Sequence, residues 1–194
     1  MESCSSTTGF RFGFLPQRRK IPIFVGAHNP KMLEFAGKYA DGVLLNTITK
    51  EEVSYFLEHI EEGAKSAGRS LSDIEIASFF NCCAAEDRKT RLDELKRRMA
   101  WFLVMPHVLN RMKRTPFKAE AEKAEEILNS GKPERITDAA SDELIDSMCI
   151  SDAPSKIMEH VEEFRALGIT LPILFPTPVG GDLEEGYEKT LDIL

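Results

Sequence analysis

The chain has 194 residues, 42% of them hydrophobic and 29% charged, with a formal net charge of −7. This length and balance suit one folded domain with a sizeable core and exclude a disordered chain. The acidic balance argues against nonspecific nucleic-acid binding, and no apolar run reaches the roughly 18 residues of a membrane span, so neither nucleic acid nor membrane is an expected partner and a cytoplasmic location is expected.

Residues 21–46, IPIFVGAHNPKMLEFAGKYADGVLLN, read as a complete βαβ unit. A strand over 21–26 is apolar on both faces, as a parallel strand covered by helices requires. Gly26, Ala27 and His28 then form a turn that leads to Asn29 as N-cap and Pro30 as the first helical residue, where its missing N–H has no intrahelical partner to lose. Met32, Phe35, Ala36, Tyr39 and Ala40 form an apolar stripe expected to lie on the sheet, and Asp41-Gly42 turns the chain back into a strand at 43–45. Small residues ahead of a helix N-terminus converge several N–H groups with the positive end of the dipole, which makes an anion site.

A helix over 49–67 is expected to bury Val53, Phe56, Leu57, Ile60 and Ala64, to expose Glu52, Glu58, Glu61 and Glu62, and to stop at Gly68. A third strand follows at 74–84, then a helix opened by Glu86-Asp87 with Leu92, Leu95, Met99 and Phe102 inward. Residues 105–118 read as an irregular or broken-helical insertion around Pro106 and Pro116, followed by helices at 118–130 and 141–148. The basic runs at 88–98 and 111–114 read as solvated helix faces. Pro154 begins a helix with Ile157, Val161 and Phe164 inward, Gly168 ends it, a strand spans 171–175, and the turn PTPVGG at 176–181 precedes a final helix at 182–194.

Cys4, Cys82, Cys83 and Cys149 lack zinc-like spacing and read as structural thiols; Cys82 and Cys83 on one strand point to opposite faces. His28, His59, His107 and His160 form no metal pair on one helix face, and no metal site is expected. Asn46 and Asn81, near strand ends, read either as turn residues or as hydrogen-bonding contacts for a substrate. Four parallel strands, each followed by helix, fit either a doubly wound sheet or part of a (β/α)₈ barrel. The strands carry no lysine, which sets aside Schiff-base chemistry.

IPIFVGAHNPKMLEFAGKYADGVLLN, EEGAKSAGRS at 61–70 and SDELIDSM at 141–148 resemble the luciferase-like monooxygenase superfamily, and within it the deazaflavin-dependent branch of the methylenetetrahydromethanopterin reductase kind. The resemblance spans 10–194. It implies an α/β fold, the C-terminal half of a TIM barrel: strands five to eight with their helices plus a helical insertion, without strands one to four. Residues 1–9 are left unplaced. It also implies either coenzyme F420 or FMN as cofactor, with Val25, Gly26, Ala27, His28, Asn29 and Lys31 in the segment that holds the cofactor phosphate. His28 and Asn29 stand where the family has small glycines, so His28 is either a cofactor contact or a plain helix-start residue. Lys31 either suits a bound anion or is merely solvated.

Two functions follow from the resemblance. One is a flavin- or deazaflavin-dependent oxidoreductase of hydride-transfer or monooxygenase type acting on a small molecule, incomplete alone and completed by a homodimer or a separately encoded N-terminal half. The other is a noncatalytic remnant or subunit that binds a cofactor phosphate or a partner half. No catalytic residue is assigned, because the family's proton-handling groups lie largely in the first half of the barrel.

Overall fold

The computed structural model describes residues 20–179, together with residues 9 and 187–188. The elements in chain order are β1 (Phe24–Gly26), α1 (Pro30–Tyr39), β2 (Gly42–Asn46), α2 (Val53–Ser66), β3 (Glu75–Ala84), α3 (Arg88–Met99), α4 (Pro106–Met112), α5 (Lys118–Asn129), α6 (Asp142–Met148), β4 (Ile150–Asp152), α7 (Ile157–Ala166) and β5 (Leu171–Pro176). The expected final helix and the glycines at 180–181 lie outside the described residues, apart from Tyr187 and Glu188.

All pairings are parallel: β1 with β2, β2 with β3, and β3 with both β4 and β5. The ten-residue β3 is long enough to serve three neighbours. Cys82 pairs with Ile150 of β4 and with Pro176 of β5, so those two strands occupy opposite edges of β3, and β4 sits beyond the end of β2 on the shared edge. The expected four-strand half barrel is therefore present, and β4 is an addition that three residues of sequence did not announce.

Side chains on alternate faces of the sheet fill different spaces. Val43, Leu45, Ile76 and Phe80 pack outward with Leu33 and Ala36 of α1, Phe56 and Ile60 of α2, and Phe164 of α7. A second core joins Leu92, Leu95 and Met99 of α3 to Leu109, Met112, Ala121, Leu144 and Ile145 of α4 to α6. Cys82 belongs to the first core and Cys83 to the second, as their alternation requires. Burial pushes the Cys82, Cys83 and Cys149 thiols up, which leaves them protonated and unreactive at neutral pH. Of the two readings of 105–118, irregular or broken-helical, the second holds, since the stretch contains the short helix α4; Pro106 occupies its first turn, where proline is tolerated.

Two sequence expectations fail on the first βαβ unit. Ile21 and Ile23 lie outside β1 and are 72% and 64% exposed. Among the described residues β1 has β2 as its sole neighbour, so its other edge supplies no ladder to extend the strand. Second, α1 buries Leu33, Ala36 and Gly37, while Met32, Phe35 and Tyr39 of the expected stripe are exposed. Two apolar stripes lie side by side on this helix, and the neighbour decides between them. That neighbour is α2, approached so closely that a Cβ on Gly37 would come within 2.1 Å of the Ile60 carbonyl oxygen and one on Gly63 within 1.9 Å of that of Glu34.

Alanine at a mid-helix glycine ordinarily stabilises by up to about 1 kcal/mol. At Gly63 the backbone clash reverses the sign, so Gly63→Ala is expected to destabilise by about 3 kcal/mol in urea unfolding, the cost of overpacking.

Candidate functional site

Parallel strands place all their C-terminal ends on one side. Gly26 is paired with Leu44, Asn46 with Phe79 and Pro176 with Cys82, so the loops after β1, β2 and β5 gather at one mouth. Of the segment expected to hold a phosphate, Val25 packs against the first core and Ala27 is buried with its N–H on the Leu44 carbonyl. Gly26 faces open space, with nothing within 4 Å of where a Cβ would stand. Asn29 is the N-cap in extended conformation, yet its side chain makes no capping bond and is exposed, and Lys31 is exposed at the second helical position. Among the described residues, the backbone N–H groups of His28, Asn29 and Lys31 have no acceptor. Unpaired donors at a helix start constitute the elements of an anion cradle.

His28 does not stand alone. Its Nδ1 lies 3.1 Å from Nη1 of Arg111 on α4. The same guanidinium donates through Nε to Glu52 Oε1 at 2.8 Å and through Nη2 to the carbonyl of Thr47, a residue at a left-handed φ of 54° in the turn after β2. The second Glu52 oxygen accepts from the Thr49 N–H at 2.9 Å. The Arg111 and Glu52 side chains are only 11% and 6% exposed. Both were expected on solvated faces, Glu52 from its place in an amphipathic helix and Arg111 from a basic run, but Glu52 is buried and Arg111 largely withdrawn from solvent. Fifty-nine residues separate them, so no local pattern could pair them. Arg91, in the other basic run, is also buried, donating to the carbonyls of Ala85 and Glu86.

The His28 ring also packs nearly perpendicular to Phe56, with centroids 6.1 Å apart, and lies 6.2 Å from His107. Burial, then the Arg111 charge, then His107 push its pKa down to about 4, so the ring is neutral at physiological pH.

A cavity of about 310 Å³ opens on the inner face of the sheet, with Asn46, Phe79, Asn81, Arg98, Phe102 and Phe175 in its lining. Both asparagines singled out from the sequence are here. Arg98 stacks 4.5 Å over the Phe175 ring and donates from Nε to Asn81 Oδ1 at 3.2 Å. Flat apolar rings with a few fixed polar groups suit a planar heteroaromatic ligand. Elsewhere, Glu34 of α1 with His59 and Glu62 of α2 brings three ligand-type atoms within 4.8 Å of one another, a grouping of two helices that spacing along one helix could not reveal. Among the described residues no helix is long and apolar enough to cross a membrane.

Parallel β/α units with unpaired N–H donors at a helix start and an aromatic cavity at the C-terminal ends of the strands make up an α/β fold of the TIM-barrel kind. Within that class, the model of the luciferase-like monooxygenases matches residues 4–171, and the chain belongs to that family. It is 31% identical over 175 residues to the 5,10-methylenetetrahydromethanopterin reductase of Methanopyrus kandleri, covering 89% of this chain and 49% of that protein. The reductase of the same name from Archaeoglobus fulgidus is 27% identical, with 93% and 54% covered. The solved coenzyme F420 dependent tetrahydromethanopterin reductase of M. kandleri superposes with a TM-score of 0.67 at 29% identity, covering 87% of this chain and 48% of that one. An F420-dependent secondary alcohol dehydrogenase shares the fold, with a TM-score of 0.63 at 16% identity and 92% and 49% covered. The chain thus spans about half the length of the curated relatives it matches.

Two outcomes follow from the buried cluster. Arg111→Met leaves the Glu52 carboxylate buried and unpaired, and is expected to lower unfolding free energy by about 3–5 kcal/mol in a urea titration. The His28 ring, near 6.5 unfolded and about 4 folded, binds fewer protons in the native state between those values. Its contribution is therefore complete above pH 6.5 and lost as pH falls toward 4. With solvent screening of a half-buried ring, the loss is about 1–2 kcal/mol, and stability measured at pH 7 and pH 4.5 should differ less in His28→Gln by that amount.

Proposed function

We propose that this chain is the coenzyme-binding half of an oxidoreductase that uses coenzyme F420 or FMN on a small-molecule substrate, with residues 10–194 forming one half-barrel domain. The observation that carries the reading is that the loop after β1, whose N–H groups have no acceptor among the described residues, and the aromatic cavity both lie at the C-terminal ends of the parallel strands. The residues present fit such a group. The open side of Gly26 and the donors of His28, Asn29 and Lys31 would hold a phosphate. Phe79 and Phe175 would flank a planar ring, and Asn46 would hydrogen-bond its polar edge. When bound, the coenzyme supplies the hydride chemistry. The chain's own part is to orient the ring, exclude water with the aromatic side chains and neutralise charge with Arg98. Solved structures named for F420 support the cofactor class, and this chain spans about half the length of the relatives it matches.

That second half is proposed to be either another copy of the chain or a separately encoded set of β/α units. Among the described residues β1 and β5 each pair on one edge only, and Ile21, Phe24, Phe35 and Tyr39 are exposed apolar side chains nearby in sequence to β1. Unpaired strand edges invite such pairing. One observation favours the alternative, a noncatalytic subunit that holds a cofactor phosphate or a partner half: His28 is tied back to Arg111 by its Nδ1, where the family's glycine would let the backbone approach.

Titration of the purified chain with coenzyme F420 and, in parallel, with FMN, followed by cofactor fluorescence, tests the reading, with light scattering on the same sample for its assembly state. Saturable binding of one cofactor is expected. A sample that is folded by circular dichroism and binds neither would overturn the coenzyme reading and leave the noncatalytic subunit.

A further inference from the structure

We propose that Arg111 is a positioning residue that locks His28 as the neutral Nε2–H tautomer, so that the loop after β1 presents an uncharged hydrogen-bond donor to an acceptor oxygen of the coenzyme. A guanidinium has donors only. Its 3.1 Å contact with Nδ1 is therefore a hydrogen bond only when Nδ1 carries a lone pair, and a neutral ring then bears its proton on Nε2. Arg111 is not free to turn away. Its Nε is held by Glu52 and its Nη2 by the Thr47 carbonyl, and Glu52 is itself fixed by the Thr49 N–H. The groups that face the ring from the packed elements are Arg111 and His107 of α4 and the Phe56 ring of α2, with Glu52 reaching it only through Arg111. Burial, the Arg111 charge and His107 all disfavour an imidazolium.

Nε2, by contrast, makes no hydrogen bond among the described residues and is not among the sealed polar atoms. It is the one polar atom of the ring left for a ligand. A carbonyl or phosphate oxygen is the class of partner it selects, and a neutral donor binds such an oxygen with equal strength across physiological pH. The device is carried by a helix of the insertion, which thereby acquires a role at the mouth beyond packing. The donor half of the inference rests on the coenzyme reading above; the tautomer half does not.

Nitrogen-15 NMR of the full chain labelled at histidine tests the tautomer directly. The wild type is expected to show His28 with a bare Nδ1 and a protonated Nε2 at pH 7, and the same neutral form at pH 5.5. In Arg111→Met the two tautomers should exchange and the ring should protonate nearer the usual histidine range. Should that variant fail to fold, Glu52→Gln with Arg111→Met removes the stranded charge and gives the same readout. A proton on Nδ1 in the wild type, or an unchanged tautomer in the paired variant, would overturn the role of Arg111. For the ligand, His28→Asn keeps an acceptor for Arg111 but lacks the distal donor, whereas His28→Gln keeps the distal donor. Binding of whichever of F420 or FMN the wild type takes should weaken about tenfold in His28→Asn, the loss of one hydrogen bond, and less than about threefold in His28→Gln. Equal losses would overturn the donor role. Absence of binding by the wild type would overturn the coenzyme reading together with the donor, while the tautomer spectra would still decide the role of Arg111.

Discussion

The Arg111 guanidinium ties together the parts of this molecule that a sheet alone could not. It bonds a side chain after β1, a backbone carbonyl after β2 and a carboxylate that leads into α2, all from a helix of the insertion. A buried ion pair of this kind is weak evidence for stability, because desolvation offsets most of the attraction. What it contributes is geometry. Arginine's planar fork fits three acceptors in fixed directions, which lysine could not. The left-handed Thr47 fits this picture, since strain of about 1–2 kcal/mol at a β-branched residue persists only where its surroundings over-determine it.

Around that clamp the two cores divide the labour. The first covers the outer face of the sheet with α1, α2 and α7, and its closest approach is set by glycines on α1 and α2 that let backbone touch backbone. The second makes the insertion self-supporting, so that α4 can be presented rigidly to the mouth. The inner face is different. Phe24, Phe79, Leu171 and Phe175 are partly exposed there, as expected of a curved sheet whose concave side would be closed by the other half of a barrel. The cavity beside Asn46 and Asn81 is the end of that inner face nearest the loops, which is why fold and candidate site are one question in this chain.

Much of the architecture was legible because its signals are local. Pro30 opens α1, Ser141 caps α6 with its hydroxyl accepting from the Leu144 N–H, and Gly168 ends the α7 segment at a φ of 109° that other residues resist. The stripe of Ile157, Val161 and Phe164 is buried as its period requires. The misses share a cause. Glu52 and Arg111 each obeyed a local surface pattern and were drawn out of solvent against one another. The short β4 exists because β3 runs past the end of β2 and leaves an edge to pair.

The residues by themselves determined the β/α order, the helix starts and stops, the placement of Gly26 to Lys31 at a strand end and the family, since each depends on steps of a few residues or on a contiguous motif. Only the tertiary structure decided which of two apolar stripes α1 buries, which charged residues leave water, and that His28 is held by a guanidinium 83 positions away. Those outcomes turn on what packs opposite, and hydrophobic pattern along one helix carries no information about its neighbour.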